Sequence, residues 1–294
     1  MQPAISSQTF GLGSIMRVAF IVGAVVMAAV LLLWIRIEQG HIERCASVVE
    51  RGGIAASITA PPVHVIVHVR NNNRSVGNAS TPPGRRRWNY NWDYMQPPNG
   101  QEAAGTATRV ILMIRHGQYG LNDGRLTEKG RYQAKLTGMR LRALNIAFDR
   151  IVHSDLERAT QTAQLIRAQL ADLPMIADPM LVEGGPVPPE PTISYWSLPD
   201  RNYFVEGPRL EAAFRKYIYR AGKTQTNDTV DILVGHGNIF RYFMLRALQF
   251  PPAAWMRVFL PHGSISRLNI LPDGTVTLSQ FGDSGFMPPD YVTY

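Results

Sequence analysis

The sequence contains a single cysteine, Cys45, among 294 residues. One cysteine excludes an internal disulfide framework and a zinc site built from several thiolates. Cys45 also lies just past a long apolar run and away from the acid–base clusters of the sequence, which argues against a cysteine nucleophile. Any catalytic chemistry is therefore expected to rest on other side chains.

Negative charge is also scarce: the formal net charge is +8, from 30 Lys and Arg against 22 Asp and Glu. A basic excess is typical of proteins that bind nucleic acid, anionic lipid or a phosphorylated substrate. No nucleic-acid-binding motif accompanies it, so nucleic acid is the least favoured partner. No carboxylate cluster suited to Mg²⁺ is evident either, and the sequence predicts neither a metal nor another cofactor.

No acidic residue precedes Glu38, and residues 18–35 are almost uninterruptedly apolar. Their length is close to the ~20 residues that a helix needs to cross a bilayer, and Trp34 stands at an interfacial position. We therefore predict a transmembrane helix over residues 18–35 after a tail at 1–17. A signal peptide remains an alternative, although its apolar core is usually about 7–15 residues. A buried core helix is disfavoured because the run has no polar face.

Residues 36–84 show no sustained helical period and are interpreted as a juxtamembrane region and linker. The alternation over residues 63–69 predicts a short strand that places His64 and His68 on one face. With no third ligand in view, an ordinary strand is favoured over a metal site. Residues 71–84 are rich in Asn, Ser, Pro and Gly, as linkers are.

Residues 85–97 are mostly polar and are flanked by prolines. They contain two tryptophans, Trp88 and Trp92, and Asp93 follows the second. Indole rings are large apolar surfaces that gain by burial. We interpret this segment as a docking peptide, either onto its own domain or onto another subunit.

From residue 106 to 294 the pattern changes to alternating strands and helices, which predicts a mostly parallel α/β sheet. Ligands bind such sheets at the carboxyl ends of the strands. His116 and His236 each follow a predicted strand directly, so we expect them to face one site. The predicted strands are 110–114, 151–152, 230–234 and a hairpin of 265–270 with 275–278; the predicted helices are 126–144, 154–170 and 238–248.

Arginines and glycines surround these two histidines. The planar guanidinium of arginine suits a phosphate dianion, and Arg115 precedes His116 directly. Arg158 begins a predicted helix, where backbone N–H groups add positive potential. Gly117 allows the close backbone approach that a side chain would block. These residues predict a phosphate-binding site.

The same residues predict phosphoryl transfer. A neutral His116 can attack phosphorus in line and form a phosphohistidine. His236, held protonated by the phosphate, would stabilise the equatorial oxygens. The leaving oxygen needs a proton, and Glu183, just after a proline-containing loop, is the best candidate for the acid and then for the base toward water. His153 and His262 are interpreted as structural histidines, with His262 the one that could lie near the site.

Several separated motifs occur in an order that resembles the histidine phosphatase superfamily, the phosphoglycerate mutase-like fold, over residues 106–294. The resemblance implies a three-layer α/β/α architecture and His116 as the phosphorylated nucleophile. It implies Arg115, Arg158 and His236 in the phosphate pocket, Glu183 as proton donor and Asn122 as a further phosphate contact. The motifs are Arg115-His116-Gly117, Leu126-Thr127-Glu128-x-Gly130, Ser154-x-Leu156-x-Arg158-Ala159-x-Gln161-Thr162-Ala163, Glu183-Gly184 and Gly235-His236-Gly237.

Within the superfamily, the sequence resembles the mitochondrial, membrane-anchored serine/threonine protein phosphatase branch. Phosphoglycerate mutases carry Glu-Ser-x-Trp-Asn after Arg-His-Gly, whereas residues 118–122 read Gln-Tyr-Gly-Leu-Asn. The branch has a Trp-Asp-Pro-Asn-Trp-Asp segment that drives oligomer assembly and activation, and Trp88, Trp92 and Asp93 match it. The resemblance implies phosphorylated protein substrates, a homo-oligomer and a single-pass mitochondrial membrane protein, with the outer membrane favoured over the inner.

Two other hypotheses stay open on the sequence alone. The superfamily also contains phosphatases and mutases of small phosphorylated metabolites, and the fold does not decide between these substrates. The anchor, the linker and the tryptophan segment also fit an oligomeric membrane scaffold in which catalysis is secondary.

Overall fold

The computed structural model of the chain describes residues 87–95, 105–170, 172–194 and 198–294. The predicted tail, the transmembrane helix at 18–35 and the juxtamembrane region to residue 84, with its predicted strand, lie outside the described residues. Within those described ranges, no helix is both long enough and apolar enough to cross a membrane.

A single six-stranded sheet forms the centre of the domain, in the order β3-β2-β4-β1-β5-β6. The four strands β3, β2, β4 and β1 are parallel, whereas β5 pairs antiparallel with β1 and β6 pairs antiparallel with β5. The predicted α/β class and the predicted hairpin are therefore confirmed. The strands are β1 (Arg109–Arg115), β2 (Arg150–His153), β3 (Met175–Ala177), β4 (Thr229–Gly235), β5 (Ile265–Ile270) and β6 (Val276–Asp283).

Helices cover both faces of the sheet, which makes three layers. Along β1, Val110, Leu112 and Ile114 pack into one hydrophobic cluster, while Ile111 and Met113 pack into another. The first cluster includes residues of α1 and α2, and the second includes residues of α3 and α4. The helices are α1 (Glu128–Ala143), α2 (Glu157–Arg167), α3 (Asp200–Tyr217) and α4 (Gly237–Ala247), with short 3-10 turns at Pro179–Leu181, Pro252–Arg257 and Pro289–Tyr291.

The helix starts near the site follow local chemistry. The Thr127 side chain accepts a hydrogen bond from the Gly130 N–H and caps α1. Helix α2 begins at Glu157, three residues later than the predicted start at Ser154. Ser154 instead lies in the loop after β2, fully buried, where its side chain meets the second histidine of the site.

The tryptophan segment packs on its own domain. The Trp92 indole is 4% exposed, and its Nε1–H donates to the Gly274 carbonyl at 2.8 Å. The Trp88 Nε1–H donates to the same carbonyl at 3.3 Å, and the Asp93 carboxylate pairs with buried Arg220. Gly274 has φ +88°, and a Cβ there would lie 2.6 Å from the Tyr90 carbonyl oxygen, so this turn requires glycine. Of the two docking modes predicted for this segment, the structure contains the contact with its own domain.

Candidate active site

The carboxyl ends of β1 and β4 bring the two predicted histidines together. The ring centroids of His116 and His236 lie 5.1 Å apart, and both side chains are buried. Because parallel neighbouring strands end at the same edge of the sheet, residues 120 positions apart in the sequence share one pocket.

His116 is held with one ring nitrogen free to act as a nucleophile. Its Nδ1 lies 2.8 Å from the Gly117 carbonyl, which can only accept, so Nδ1 carries the hydrogen and Nε2 carries the lone pair. The Nε–H of Arg158 donates to that Nε2 at 3.2 Å. Burial, together with the nearby His236 and Arg115, holds the pKa of His116 well below its ordinary value. The imidazole is therefore neutral at physiological pH.

The two predicted arginines flank this nucleophile. Arg115 donates from Nη1 to the Leu260 carbonyl at 2.5 Å and from Nη2 to His262 Nε2 at 3.0 Å. Burial lowers the pKa of Arg115 to about 10, which leaves it cationic at neutral pH. The Arg158 guanidinium stacks over the Tyr119 ring at 4.5 Å, and that ring meets His116 edge-on at 5.1 Å.

The loop after His116 is pressed against the start of α1. A Cβ at Gly130 would lie 1.9 Å from the Gln118 carbonyl oxygen, and a Cβ at Gly117 would lie 2.4 Å from the Gly130 oxygen. The Gly117 N–H donates to Thr162 Oγ1 of α2 at 3.1 Å. Two helices thus fix the backbone on which the nucleophile sits.

His236 has one ring nitrogen bonded and one free. Its Nε2 lies 2.8 Å from Ser154 Oγ, whereas its buried Nδ1 has no hydrogen-bond partner within the described part of the chain. Burial first, and then Arg158 and Arg115, hold the pKa of His236 well below its ordinary value. These surroundings favour a neutral His236, and its protonation by a bound phosphate, expected from the sequence, stays a prediction.

Glu183 belongs to the loop that follows the 3-10 turn Pro179–Leu181, and its carboxylate contacts the N-terminus of α4. Its carboxylate accepts from the backbone N–H groups of Asn238 at 3.3 Å, Ile239 at 3.4 Å and Gly184 at 3.2 Å. Burial raises the pKa of Glu183, outweighing these N–H groups and the charge of Arg115. A carboxyl group that keeps its proton to higher pH is suited to donate it to a leaving group.

Helix α3, which the sequence alone does not predict, holds the Glu183 loop in place. Arg209 Nη1 donates to the carbonyls of Met180 at 2.9 Å and Val182 at 2.8 Å, and Nη2 donates to the Glu183 carbonyl at 3.2 Å. Glu206, also on α3, accepts from the Gly185 N–H at 2.5 Å. No sequence signal points to these two residues, because their partners lie some 20 to 30 positions earlier in the chain.

His262 lies beside the site, the position that the sequence analysis left open for this histidine. Its ring centroid lies 5.4 Å from that of His116, and its Nε2 accepts from Arg115. Its Nδ1 is 3.0 Å from Thr293 Oγ1, so the end of the chain contacts the site. Burial and the charge of Arg115 lower the pKa of His262 to about 3.

The phosphate contact expected of Asn122 stays a prediction. This residue is exposed in the turn after Tyr119, and none of the hydrogen bonds found in the described ranges joins it to His116 or an arginine of the site. Among those same ranges, no group of three or more His, Cys, Asp or Glu side chains is arranged to hold a metal ion.

Comparisons with known proteins identify the family of this chain. Residues 111–186 match the model of the histidine phosphatase superfamily, branch 1. The relative from Rattus norvegicus, named serine/threonine-protein phosphatase PGAM5, mitochondrial, is 40% identical over 235 residues, which cover 72% of this chain and 82% of the relative. The Homo sapiens protein of the same name is 41% identical over 235 residues, covering 72% and 81%.

Among solved structures, a phosphoglycerate mutase from Plasmodium falciparum is 31% identical and covers 64% of this chain and 99% of its own, with a TM-score of 0.46. The identity and coverage of the curated relatives decide the family. The chain belongs to the PGAM5 family of mitochondrial serine/threonine-protein phosphatases, within the histidine phosphatase superfamily.

Proposed function

We propose that this chain is a mitochondrial protein phosphatase that hydrolyses phosphoserine and phosphothreonine through a phosphohistidine on His116. The observation that carries the proposal is the neutral, buried imidazole of His116, whose Nε2 lone pair faces Arg158 with Arg115 and His236 beside it. The names of the curated relatives support the protein substrate.

In the first step His116 Nε2 attacks phosphorus, the N–P bond forms and the P–O ester bond breaks. In the structure the Arg158 Nε–H is hydrogen-bonded to this Nε2 lone pair. Substrate binding must therefore replace this hydrogen bond with one from Arg158 to a phosphate oxygen. The Nδ1–H bond to the Gly117 carbonyl stabilises the positive charge that develops on the ring. Arg115, Arg158 and His236 stabilise the equatorial oxygens.

Glu183 serves both steps in this proposal. It protonates the departing serine or threonine oxygen, for which its raised pKa is suitable. As the carboxylate, it then takes a proton from the water that attacks the phosphohistidine. The N–P bond breaks, inorganic phosphate leaves and neutral His116 is restored.

The test is phosphopeptide hydrolysis by the His116→Asn variant. Asparagine keeps an amide N–H near the Nδ1 position, for the Gly117 carbonyl, but has no nucleophilic nitrogen. We expect no measurable turnover and an unchanged thermal unfolding midpoint. Undiminished hydrolysis by the folded variant would overturn the mechanism. A panel of phosphopeptides, sugar phosphates and phosphoglycerates tests the substrate class, and a preference for the small molecules would contradict it.

We further propose that residues 85–97 assemble the chain into a homo-oligomer that activates the phosphatase, with Trp88, Trp92 and Asp93 as the assembly residues. Support comes from the described residues 87–95 of this segment, in which Trp92 packs against the β5–β6 turn while Tyr90 and Tyr94 stay exposed. Light scattering and phosphopeptide assays, with and without residues 85–97, test assembly and activation together. A monomer of full activity lacking the segment contradicts the proposal.

Finally, we propose that residues 18–35 anchor the chain in a mitochondrial membrane, with the outer membrane favoured. The apolar run and the mitochondrial relatives support this. Resistance to alkaline extraction, and protease sensitivity of the phosphatase domain in intact mitochondria, are the expected results. Release by alkali contradicts the anchor, and protection of the domain contradicts a cytosol-facing outer-membrane position.

A further inference from the structure

The Ser154 side chain is hydrogen-bonded to His236, the second histidine of the site. This side chain is completely buried in the loop between β2 and α2, and its Oγ lies 2.8 Å from His236 Nε2. We infer that Ser154 is a positioning residue that fixes His236 as the tautomer with hydrogen on Nδ1, so that this N–H points at the phosphoryl group. The inference rests on the proposed function of the site.

The hydrogen bonds around Ser154 Oγ identify the tautomer. The Leu156 N–H donates to this oxygen at 3.3 Å, so one lone pair of the hydroxyl is used. If the hydroxyl donates to His236 Nε2, its hydrogen is used as well and Nδ1 must carry the ring hydrogen. If Nε2 carried the hydrogen instead, the Ser154 hydroxyl hydrogen would have no acceptor among the described residues. The first arrangement leaves one buried group unbonded, the Nδ1–H of His236, whereas the second leaves two, the Ser154 hydroxyl hydrogen and the Nδ1 lone pair. Because buried polar groups are nearly always bonded, this difference favours the first arrangement.

The other ring nitrogen of His236, Nδ1, has no hydrogen-bond partner in the described part of the chain. His236 Nδ1 is buried and unbonded among the described residues, and the ring lies 5.1 Å from His116. An unbonded buried N–H is costly, and an anion in the pocket would satisfy it. The N–H of this tautomer therefore complements a phosphate oxygen, whereas the other tautomer would face that oxygen with a lone pair.

The neutral state of the ring makes the tautomer decisive. A protonated imidazole would donate from both nitrogens whatever its neighbour did, but burial and the arginines lower the pKa of His236 well below its ordinary value before a phosphate enters the pocket. A neutral imidazole has one N–H only. The Ser154 hydroxyl thus determines whether an entering phosphoryl group first meets a donor or an acceptor on His236.

The kinetic test compares Ser154→Ala and Ser154→Thr with a matched control, Thr160→Val. Thr160 carries a hydroxyl in the same segment, but that hydroxyl bonds to the Ser154 carbonyl and His153 and not to His236. We expect Ser154→Ala to lower kcat/KM for a phosphopeptide by about 10- to 100-fold, mainly in kcat, because the donor acts on transition-state charge. The threonine variant, which keeps the hydroxyl, should recover most of this loss, and the control should lose little. Wild-type kcat in a folded Ser154→Ala protein refutes the inference.

A spectroscopic readout separates tautomer control from a general loss of packing. Nitrogen NMR of the isotope-labelled His236 ring, assigned by comparison with His236→Asn, reports which nitrogen carries the hydrogen. We expect hydrogen on Nδ1 in the wild type and a shift of the population toward Nε2 in Ser154→Ala. Hydrogen on Nε2 in the wild type overturns the inference even if the serine variants are inactive.

Two further variants test the same point without touching Ser154. Asparagine at position 236 places its amide near Nδ1, and glutamine places its amide near Nε2. We expect His236→Asn to bind inorganic phosphate more tightly than His236→Gln, and the reverse order counts against the inference. Failure of the proposed function has a different signature, since His116→Asn would then remain active whatever the serine variants do.

Discussion

Replacement of Asp93 by asparagine should detach or destabilise the tryptophan segment through loss of a buried ion pair. The Asp93 and Arg220 side chains are only 2% and 7% exposed. Arg220 donates to the carboxylate from its backbone N–H at 2.9 Å, from Nε at 2.9 Å and from Nη2 at 2.7 Å. Asparagine keeps the size but removes the charge and half of the acceptors, so Arg220 would remain buried without its counter-charge.

The magnitude follows from the burial of this pair. Removing one partner of a buried ion pair costs about 3–5 kcal/mol, because the other charge is left uncompensated. We expect a loss of about 3 kcal/mol in the free energy of unfolding for Asp93→Asn, since the remaining amide oxygen still accepts one bond. Asp172→Asn is the matched control: Asp172 pairs with Arg167, but it is 89% exposed, and exposed pairs contribute about 0–1 kcal/mol.

Urea unfolding of the purified chain, followed by tryptophan fluorescence and circular dichroism, measures both values. Acid gives a second check. Burial alone would raise the pKa of Asp93, but the hydrogen bonds and charge of Arg220 lower it from its ordinary 3.8. The carboxylate therefore stabilises the fold above pH 3.8, and this contribution disappears as the pH falls through the lower folded-state pKa. The difference in free energy of unfolding between the wild type and Asp93→Asn should therefore decrease as the pH falls below 3.8. A loss below about 1 kcal/mol at neutral pH refutes the reasoning.

Three further predictions concern the site. Arg209→Met removes the donors that hold the Glu183 loop and should lower kcat about 10-fold with little change in the unfolding midpoint, measured by steady-state kinetics and calorimetry. Gly130→Ala should destabilise the domain by about 1–3 kcal/mol, because its Cβ meets the Gln118 carbonyl, whereas Gly222→Ala, with open space around its Cβ, should be nearly neutral in urea unfolding. In a pH-rate profile with a phosphoserine peptide, kcat should fall as the pH rises through the raised pKa of Glu183, and this limb should be absent in Glu183→Gln; the same limb in both proteins would exclude Glu183 as the acid.

The sequence is most informative where the structure depends on neighbouring residues. The hairpin of β5 and β6 and the strand before His116 are each set by a few consecutive residues, and each is found as predicted. The meeting of His116 and His236 is also predictable, because it follows from the parallel order of the strands.

Features that depend on distant contacts are not predicted. Helix α3 contains Pro208, which disfavours a helix locally, and it forms because Leu210 and Phe214 are buried against the sheet. The position of His262 depends on Arg115 and on the end of the chain. The late start of α2 has the same origin, since the Ser154 hydroxyl bonds to His236 and to the N–H of Leu156, the residue before the helix, and does not cap a helix that starts at Ser154.

The central claim is that His116 carries the phosphoryl group during turnover, and trapping the intermediate tests it most directly. An aryl phosphate, whose good leaving group needs little acid assistance, should phosphorylate Glu183→Gln faster than the variant can hydrolyse the product. Denaturation in alkali, which preserves phosphohistidine, followed by peptide mass spectrometry, should locate one phosphoryl group on His116 and none in His116→Asn. Turnover without a phosphorylated His116, or a phosphoryl group on another residue, would contradict the account.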